Sequence, residues 1–322
     1  MTSTAVTTDQ PLLSIVVPVY NETAVIPLFY EHVTKVLESI TANWEIIFIN
    51  DGSTDTTWDI LKTLGEKEPR IKLISLSRNF GKEAALSAGL EYAQGQAVIP
   101  MDVDMQDPPH ILPEMVAKWK DGFKVVLAVR KSRHSDSWFK RISAHAYYTA
   151  LSHLSDIKIP RHTGDFRLMD QQVIEVMRLL PERGRFMKGL FAWVGFSTTE
   201  VYFDRQQRAA GNAGQSMRKL YSLARDGIIA FSTFPLQIAT YVGLLISLIA
   251  ISYGTWLLIR TMLYGVDVKG YASLMFSVLF MGGVQMVFIG IIGEYLGRIY
   301  NETKQRPIFI IEESAGLNKD KK

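Results

Sequence analysis

The sequence predicts an α/β domain built on a mainly parallel sheet, followed by an amphipathic helix and two transmembrane helices. Three observations predict it. Apolar, β-branched runs alternate with helical stretches over residues 13–130. Polar and acidic residues follow each of those runs, as they would along one edge of a shared sheet. Two long stretches toward the C-terminal end, 227–259 and 270–293, contain no charged side chain.

The first strand is Leu13-Ser-Ile-Val-Val-Pro-Val-Tyr20, and a helical stretch runs from Ala24 to Ile40. Glu45-Ile-Ile-Phe-Ile-Asn-Asp51 is the second strand, with a helix over Asp55–Glu66. Ile71-Lys-Leu-Ile-Ser-Leu-Ser77 is the third, with a helix over Lys82–Ala93. Ala97-Val-Ile-Pro-Met-Asp102 and Lys124-Val-Val-Leu-Ala-Val-Arg130 complete the set. Strands separated by helices of about 10–15 residues indicate βαβ units and parallel pairing. Their near-continuous apolarity implies a sheet covered on both faces.

A bilayer core needs about 20 apolar residues per helix, and both uncharged stretches suffice. Between them and the α/β region, Met217, Leu220, Tyr221, Ala224, Ile228 and Phe231 recur at helical spacing, with Arg218, Lys219 and Arg225 on other faces. That pattern reads as an interfacial helix with its cations at anionic headgroups. Arg205, Arg208, Arg218, Lys219 and Arg225 precede the first span, and Arg298, Lys304 and Arg306 follow the second. The bias places the large N-terminal region and both termini in the cytoplasm. The expected organisation is a cytosolic domain over 1–211, a juxtamembrane helix over 212–234, spans at 235–259 and 271–297 joined by an external loop at 260–270, and a cytosolic tail from 298 to 322. The charged end from Glu312 onward is expected to be loose. Met1–Gln10 is polar and lacks a basic n-region, so no cleaved signal peptide is expected.

Composition removes several functions. Lys+Arg number 35 against Asp+Glu 32, a net charge of +3 that predicts no nucleic-acid partner. The absence of cysteine excludes disulfides and thiolate metal sites. There is no phosphate-binding P-loop, no Gly-x-Gly-x-x-Gly after a strand, no Gly-x-Ser-x-Gly elbow and no histidine pair at i, i+4.

In open α/β sheets ligands bind beyond the carboxyl ends of the strands. Tyr20-Asn21-Glu22, Asn50-Asp51-Gly52-Ser53, Arg78-Asn79, Asp102-Val-Asp104 and Arg130 stand there, so this rim is the candidate site. Asp102 and Asp104 lie two apart at a strand end, which puts both carboxylates on one face. Two hard oxygen donors suit Mg2+ or Mn2+, with water and substrate phosphates completing the shell. Gln106 offers a further neutral oxygen, and Asp51 a carboxylate able to bond a base or ribose. Asp107 reads as structural, starting the turn that Pro108 and Pro109 enforce.

Val17-Pro-Val-Tyr-Asn-Glu22, Asn50-Asp-Gly-Ser-Thr-Asp55, Ser77-Arg-Asn-Phe-Gly-Lys-Glu83, Asp102-Val-Asp-Met-Gln-Asp-Pro-Pro109 and Gly164-Asp-Phe-Arg-Leu-Met169 resemble the ordered motifs of glycosyltransferase family 2, whose members share the Rossmann-like GT-A fold. Leu180-Pro-Glu-Arg183, Phe186-Met-Lys-Gly189, Phe231-Ser-Thr-Phe-Pro-Leu236 and Gly293-Glu-Tyr-Leu-Gly-Arg-Ile-Tyr300 are similar to the polyprenyl-phosphate branch, closest to its bactoprenol glucosyltransferases. The resemblance spans Leu13 to Pro307.

The resemblance implies that Pro18, Tyr20, Glu22 and Asp51, with Asp102, hold a nucleotide sugar. It implies that Asp102, Asp104 and Gln106 hold Mg2+ or Mn2+ on the donor diphosphate, and that a loop carrying Asp165 closes over the sugar. Asp165 either orients the sugar near the reaction centre or only bonds backbone amides at Gly164. The acceptor implied is undecaprenyl or another polyprenyl phosphate in the bilayer, which accounts for two spans on a transferase. The expected reaction is inverting transfer of a hexose, glucose from UDP-glucose, in the bacterial plasma membrane, with the chemistry on its cytoplasmic side. A phosphate acceptor calls for cations, and Arg130, Arg133, Lys140, Arg141, Arg205 and Arg208 offer them. Arg130 ends a strand on the rim, while Arg141 and Arg208 are placed toward the membrane. Arg208-Ala-Ala-Gly211 continues as Asn212-Ala-Gly-Gln-Ser216, without the family's usual lysine and aromatic, which puts acceptor contacts in question. Alternatives are another donor (GDP-mannose, UDP-GlcNAc or an aminosugar nucleotide) or a weakly active membrane-anchored nucleotide-sugar binding protein. A homo-oligomer is possible on this sequence.

Overall fold

The five expected strands form, each at the position where its apolar run predicts it. They are β1 (Leu13–Val19), β2 (Trp44–Asn50), β3 (Ile71–Leu76), β4 (Ala97–Pro100) and β5 (Val125–Arg130). Helices α1 (Ile26–Ile40), α2 (Thr57–Lys67) and α3 (Lys82–Tyr92) fill the first three connections. Three further strands appear, β6 (Thr163–Asp170), β7 (Thr198–Phe203) and β8 (Ile311–Ala315), with helices α4 (Leu112–Lys120), α5 (Gln171–Leu179) and α6 (Met187–Trp193). Two long helices, α7 (Phe234–Tyr264) and α8 (Tyr271–Thr303), precede β8. This computed structural model describes residues 12–130, 163–183, 185, 187–204, 234–265 and 270–317.

The eight strands make one mixed sheet in the order β7-β5-β6-β4-β1-β2-β3-β8. Its centre is parallel: β1 pairs with β2 and β4, and β2 with β3. Antiparallel pairing enters at β6, which lies between β4 and β5, and at β8 on the edge of β3. The period-2 alternation of the strands divides the core in two. Ile15, Val17, Ile46 and Phe48 face α1 and α4, whereas Val16, Ile47, Ile49 and Ile74 face α3 and α5. On the second face α3 packs closely because its buried residues are small, Ala84, Ala85, Ala88 and Gly89 among them. A Cβ at Gly89 would stand 2.3 Å from Val16 Cγ1, so this contact requires glycine.

Three expectations need correction. Strand β4 stops at Pro100, two residues short of Asp102, so strand alternation does not set the direction of the two aspartates. Asp165 lies inside strand β6 and not on a loop. The charged end is not loose at its start: Ile311–Ala315 pairs with β3, and Phe309, Ile311 and Leu317 pack on the core. The helical limits differ from the expected spans as well, α7 running past 259 to Tyr264 and α8 past 297 to Thr303. Helical hydrogen bonding continues beyond the apolar run because no proline or turn signal stops it.

Within these helices, Leu236–Trp256 and Phe276–Thr303 have mean hydropathies of 1.8 and 2.0, and neither window is buried in the chain. Leu245, Ile249, Phe276 and Ile289 present their side chains outward. A helix of a soluble core would bury such residues. At 1.5 Å per residue, 21 residues reach about 31 Å, the thickness of a hydrocarbon core. These features associate the chain with a membrane. The expected juxtamembrane helix lies outside the described residues up to position 233.

Candidate active site

The rim is assembled by loops that hydrogen-bond one another. After β1, Asn21 adopts a left-handed conformation (φ 54°). Its Oδ1 accepts the Thr54 N–H at 2.8 Å and its own N–H donates to Ser53 Oγ at 3.0 Å. The Glu22 N–H donates to Thr57 Oγ1 at 3.0 Å and Thr23 Oγ1 to Asp55 Oδ2 at 2.7 Å. The β1 and β2 loops are thereby joined, with Tyr20 exposed and Pro18 and Glu22 half-buried beside the joint.

Asp51 ties in the third loop. Its carboxylate accepts the N–H groups of Phe80 and Gly81 at 2.7 and 3.0 Å. Burial raises the Asp51 pKa, while these two amide bonds oppose the rise. The following Gly52 (φ +64°) lies so close to that loop that an added Cβ would meet the Arg78 carbonyl carbon at 2.4 Å. Of the residues expected to hold the nucleotide, Asp51 is thus buried and already joins two loops, whereas Tyr20 is exposed and Pro18, Glu22 and Asp102 are half-buried.

The Asp102–Asp107 segment is a tight turn. Asp107 Oδ2 accepts the Asp102 N–H at 3.2 Å, and Asp104 Oδ1 accepts the Gln106 N–H at 3.1 Å. Met105 is held at φ 62°, a left-handed conformation costly for a side chain of this size. Burial and the neighbouring Asp102 charge push the Asp107 carboxyl up to about 7, which fits its structural role. Asp102 and Asp104 both keep partial access to the cleft, whereas Gln106 is buried. The turn brings the two aspartates to the rim by a different geometry from the one expected.

Strand β6 delivers Asp165 to the same place. Lys82, the first residue of α3, stands between them: its Nζ is 2.6 Å from Asp102 Oδ1 and 2.8 Å from Asp165 Oδ2. Crowding by protein works to lower the Lys82 pKa, but Asp165 and Asp102 more than reverse it and hold the ammonium above its usual range. Asp165 is depressed in turn: burial alone would raise it, and Lys82, Lys188 and Arg167 outweigh burial. Its other oxygen, Oδ1, is buried without a hydrogen-bond partner among the described residues. Among the described residues the side-chain partner of Asp165 is Lys82. Arg167 braces the start of β6, donating to the Gly164 carbonyl at 2.7 Å with its guanidinium 4.2 Å from the Phe191 ring centroid. Burial brings the Arg167 pKa down to about 10, against the pull of Asp165.

Glu83 adds a second acid beside Asp165. It accepts the Met187 N–H at 3.1 Å, and burial followed by the Asp165 charge raises it to about 7. Arg130 ends β5 next to Gly164, where an added Cβ would lie 3.8 Å from its Nη2. Arg133, Lys140, Arg141, Arg205 and Arg208 lie outside the described residues.

The donor set fits a divalent cation shared with a ligand. Asp102 and Asp104 supply hard carboxylate oxygens, and no cluster of three or more acidic or imidazole groups stands ready as an all-protein cage among the described residues. Mg2+ and Mn2+ are commonly held by one or two carboxylates with substrate phosphates filling the shell.

Residues 14–178 match the family model described as Glycosyl transferase family 2, and 234–299 match that of the GtrB C-terminal hairpin. The chain belongs to glycosyltransferase family 2. The SfII prophage-derived bactoprenol glucosyl transferase of Shigella flexneri is 48% identical over 94% of this chain and 98% of its own length. The prophage bactoprenol glucosyl transferase homolog of Escherichia coli K12 is 47% identical over 93% and 98%, and an uncharacterized glycosyltransferase of Synechocystis is 48% identical over 95% and 96%. Among solved structures, glucosyl-3-phosphoglycerate synthase of Mycobacterium tuberculosis overlaps 68% of this chain and 78% of its own at 17% identity, with a TM-score of 0.47. The resemblance read from the motifs is borne out, and the chain is a glycosyltransferase.

In the transferase, the rim residues missed from sequence are Lys82, Glu83, Arg167 and Lys188. Lys82 and Glu83 end the quoted Ser77–Glu83 motif, but their partners come from residue 102 onward and no spacing rule links them. A lysine at the first position of a helix, where the dipole disfavours it, was the available signal.

Proposed function

We propose that this transferase moves a hexose, glucose from UDP-glucose, onto undecaprenyl or another polyprenyl phosphate at the cytoplasmic face of the membrane, with inversion at the anomeric carbon. The observation that carries this reading is the 48% identity to a bactoprenol glucosyl transferase over 94% of the chain, the apolar hairpin included. On this reading the protein is integral to the bacterial inner membrane, with α7 and α8 as its spans, a short outward connection and the catalytic domain inside. The basic residues flanking the spans support that orientation.

The rim then divides its work. Tyr20, Glu22 and Pro18 border the nucleotide, and Asp51 keeps the second and third loops closed against it. Asp102 and Asp104 would hold Mg2+ or Mn2+, with the Gln106 side chain as the further oxygen, and the Gln106 backbone N–H fixes the turn by donating to Asp104 Oδ1. A divalent cation bound there would stabilise the charge growing on the departing diphosphate. Asp165 stays ionised and faces the reaction side, where it orients the sugar. The acceptor is a phosphate monoester whose second pKa is about 6, so it is largely dianionic near neutrality and no strong base is required. Bringing that dianion toward a diphosphate needs cations. Arg130 stands at the rim for this purpose, and Arg141 and Arg208 are assigned to the acceptor phosphate by their sequence positions.

The test is transfer of label from a panel of radioactive donors into an organic-phase lipid by purified full-length protein with Mg2+ and undecaprenyl phosphate. UDP-glucose should be the productive donor. Label entering lipid only from GDP-mannose, UDP-GlcNAc or an aminosugar nucleotide would move the assignment to that donor. No labelled lipid with any of them would leave a nucleotide-sugar binding protein.

A further inference from the structure

Lys82 occupies a place that its own helix does not favour. It opens α3, where the helix dipole is positive and a cation is disfavoured. Two carboxylates hold it there. Its Nζ lies 2.6 and 2.9 Å from the two oxygens of Asp102 and 2.8 Å from Asp165 Oδ2, so both Asp102 oxygens are within its reach. The ammonium is not sealed in: 43% of the Lys82 side chain is exposed, as is 42% of Asp102, against 14% of Asp165. One end of this bridge is anchored and the other opens to the cleft. Asp102 is also one of the carboxylates assigned to the divalent cation, and an ammonium and a dication on one carboxylate repel each other strongly over a few ångströms.

We infer that Lys82 is a resident counter-ion that holds Asp102 while the site is empty and gives it up when a nucleoside diphosphate arrives to take the ammonium. The lysine then serves two states. In the empty site it neutralises Asp102 and Asp165, keeping the rim from flying apart by like-charge repulsion. In the loaded site it turns from Asp102 to the donor's diphosphate oxygens, the nearest new anion, while Asp165 remains its anchor. A divalent cation and the nucleotide are thereby coupled: each favours the state in which Lys82 has left Asp102, so each raises the affinity of the other. Lys82 thus acts on the cation through Asp102 and, in the loaded site, contacts the donor's diphosphate itself. This rests on the reading of Asp102 and Asp104 as metal carboxylates, and the experiment separates the two ideas.

Mn2+ binding to the full-length protein in detergent is followed by electron paramagnetic resonance, with and without UDP, for the native chain, Lys82→Gln, Lys82→Arg and Asp104→Ala. The native chain should bind Mn2+ weakly alone and at least about tenfold more tightly with UDP. In Lys82→Gln the nucleotide-free affinity should rise by about tenfold or more, and the gain from UDP should shrink. Lys82→Arg keeps the charge and should keep the native pattern, and thermal unfolding of each variant confirms that it is folded. If Lys82→Gln does not fold, Lys82→Arg with Lys82→Met supplies the same comparison. Nucleotide-free Mn2+ binding by a folded neutral variant that is no tighter than native overturns the counter-ion role alone. Failure of the native chain to bind Mn2+ even with UDP, or binding unaffected by Asp104→Ala, overturns the metal assignment and this inference with it.

Discussion

Glu83 is held by a backbone N–H from α6 in a position where burial and Asp165 both resist its ionisation. Its folded pKa of about 7 lies above the ordinary 4.5, so between those values the folded chain keeps a proton that the unfolded chain has released. The stability tied to that proton is complete below pH 4.5 and is lost as pH rises through about 7. Glu83→Gln keeps an acceptor for the Met187 N–H and cannot ionise. Thermal unfolding between pH 5 and pH 8 should show the native protein losing several degrees relative to this variant; parallel curves would contradict the assignment. At this scale the sequence reveals carboxylates more readily than their partners. Asp102 and Asp104 were legible because acidic residues at a strand end point to the rim. Lys82 was not, because its meeting with Asp102 and Asp165 depends on where α3, the β4 turn and β6 come to rest in the folded sheet.

The elements repeat that contrast. Strands β1 to β5 announce themselves by runs of Val, Ile and Leu buried on both faces, and the βαβ rhythm fixes their parallel core. Strand β8 carries no such mark: Ile-Glu-Glu-Ser-Ala is charged and short, and only the unpaired edge of β3 makes it a strand. It covers the apolar Ile71–Leu76 edge, which would otherwise be a template for aggregation. Just beyond it, the Ser77 N–H donates to the Ile310 carbonyl, and Trp58 Nε1 donates to Glu313. The strand thus supports the loop that carries Phe80 and Gly81 to Asp51. Deleting residues 308–322 should destabilise the protein by about 2–4 kcal/mol, from the lost packing of Phe309, Ile311 and Leu317. It should also lower turnover and favour aggregates in size-exclusion chromatography. A truncated protein of native stability would show that β8 is dispensable.

For the whole molecule, the hairpin and the catalytic domain are joined at more than one point. Helix α8 ends at Thr303 and the chain returns directly to the sheet edge. On the way, Glu302 accepts the Arg183 N–H at 3.0 Å, and the Arg183 guanidinium donates to the Arg306 carbonyl. These bonds tie the end of α8 to the segment that follows α5. Orientation is directly testable because the chain has no cysteine of its own. In intact cells an impermeant maleimide should label Lys269→Cys, in the connection proposed to face outward, and spare Ser53→Cys until the membrane is opened. The reverse pattern would invert the topology. The central claim is transfer of a hexose to a polyprenyl phosphate at the Asp102–Asp104 rim. It is tested most directly by mass spectrometry of the organic phase after reaction of UDP-glucose, Mg2+ and undecaprenyl phosphate with native protein and with folded, membrane-bound Asp104→Ala. The native protein should yield a lipid heavier by one hexose and the variant at least a hundredfold less; equal yields, or no hexosyl lipid from the native protein, would contradict the account.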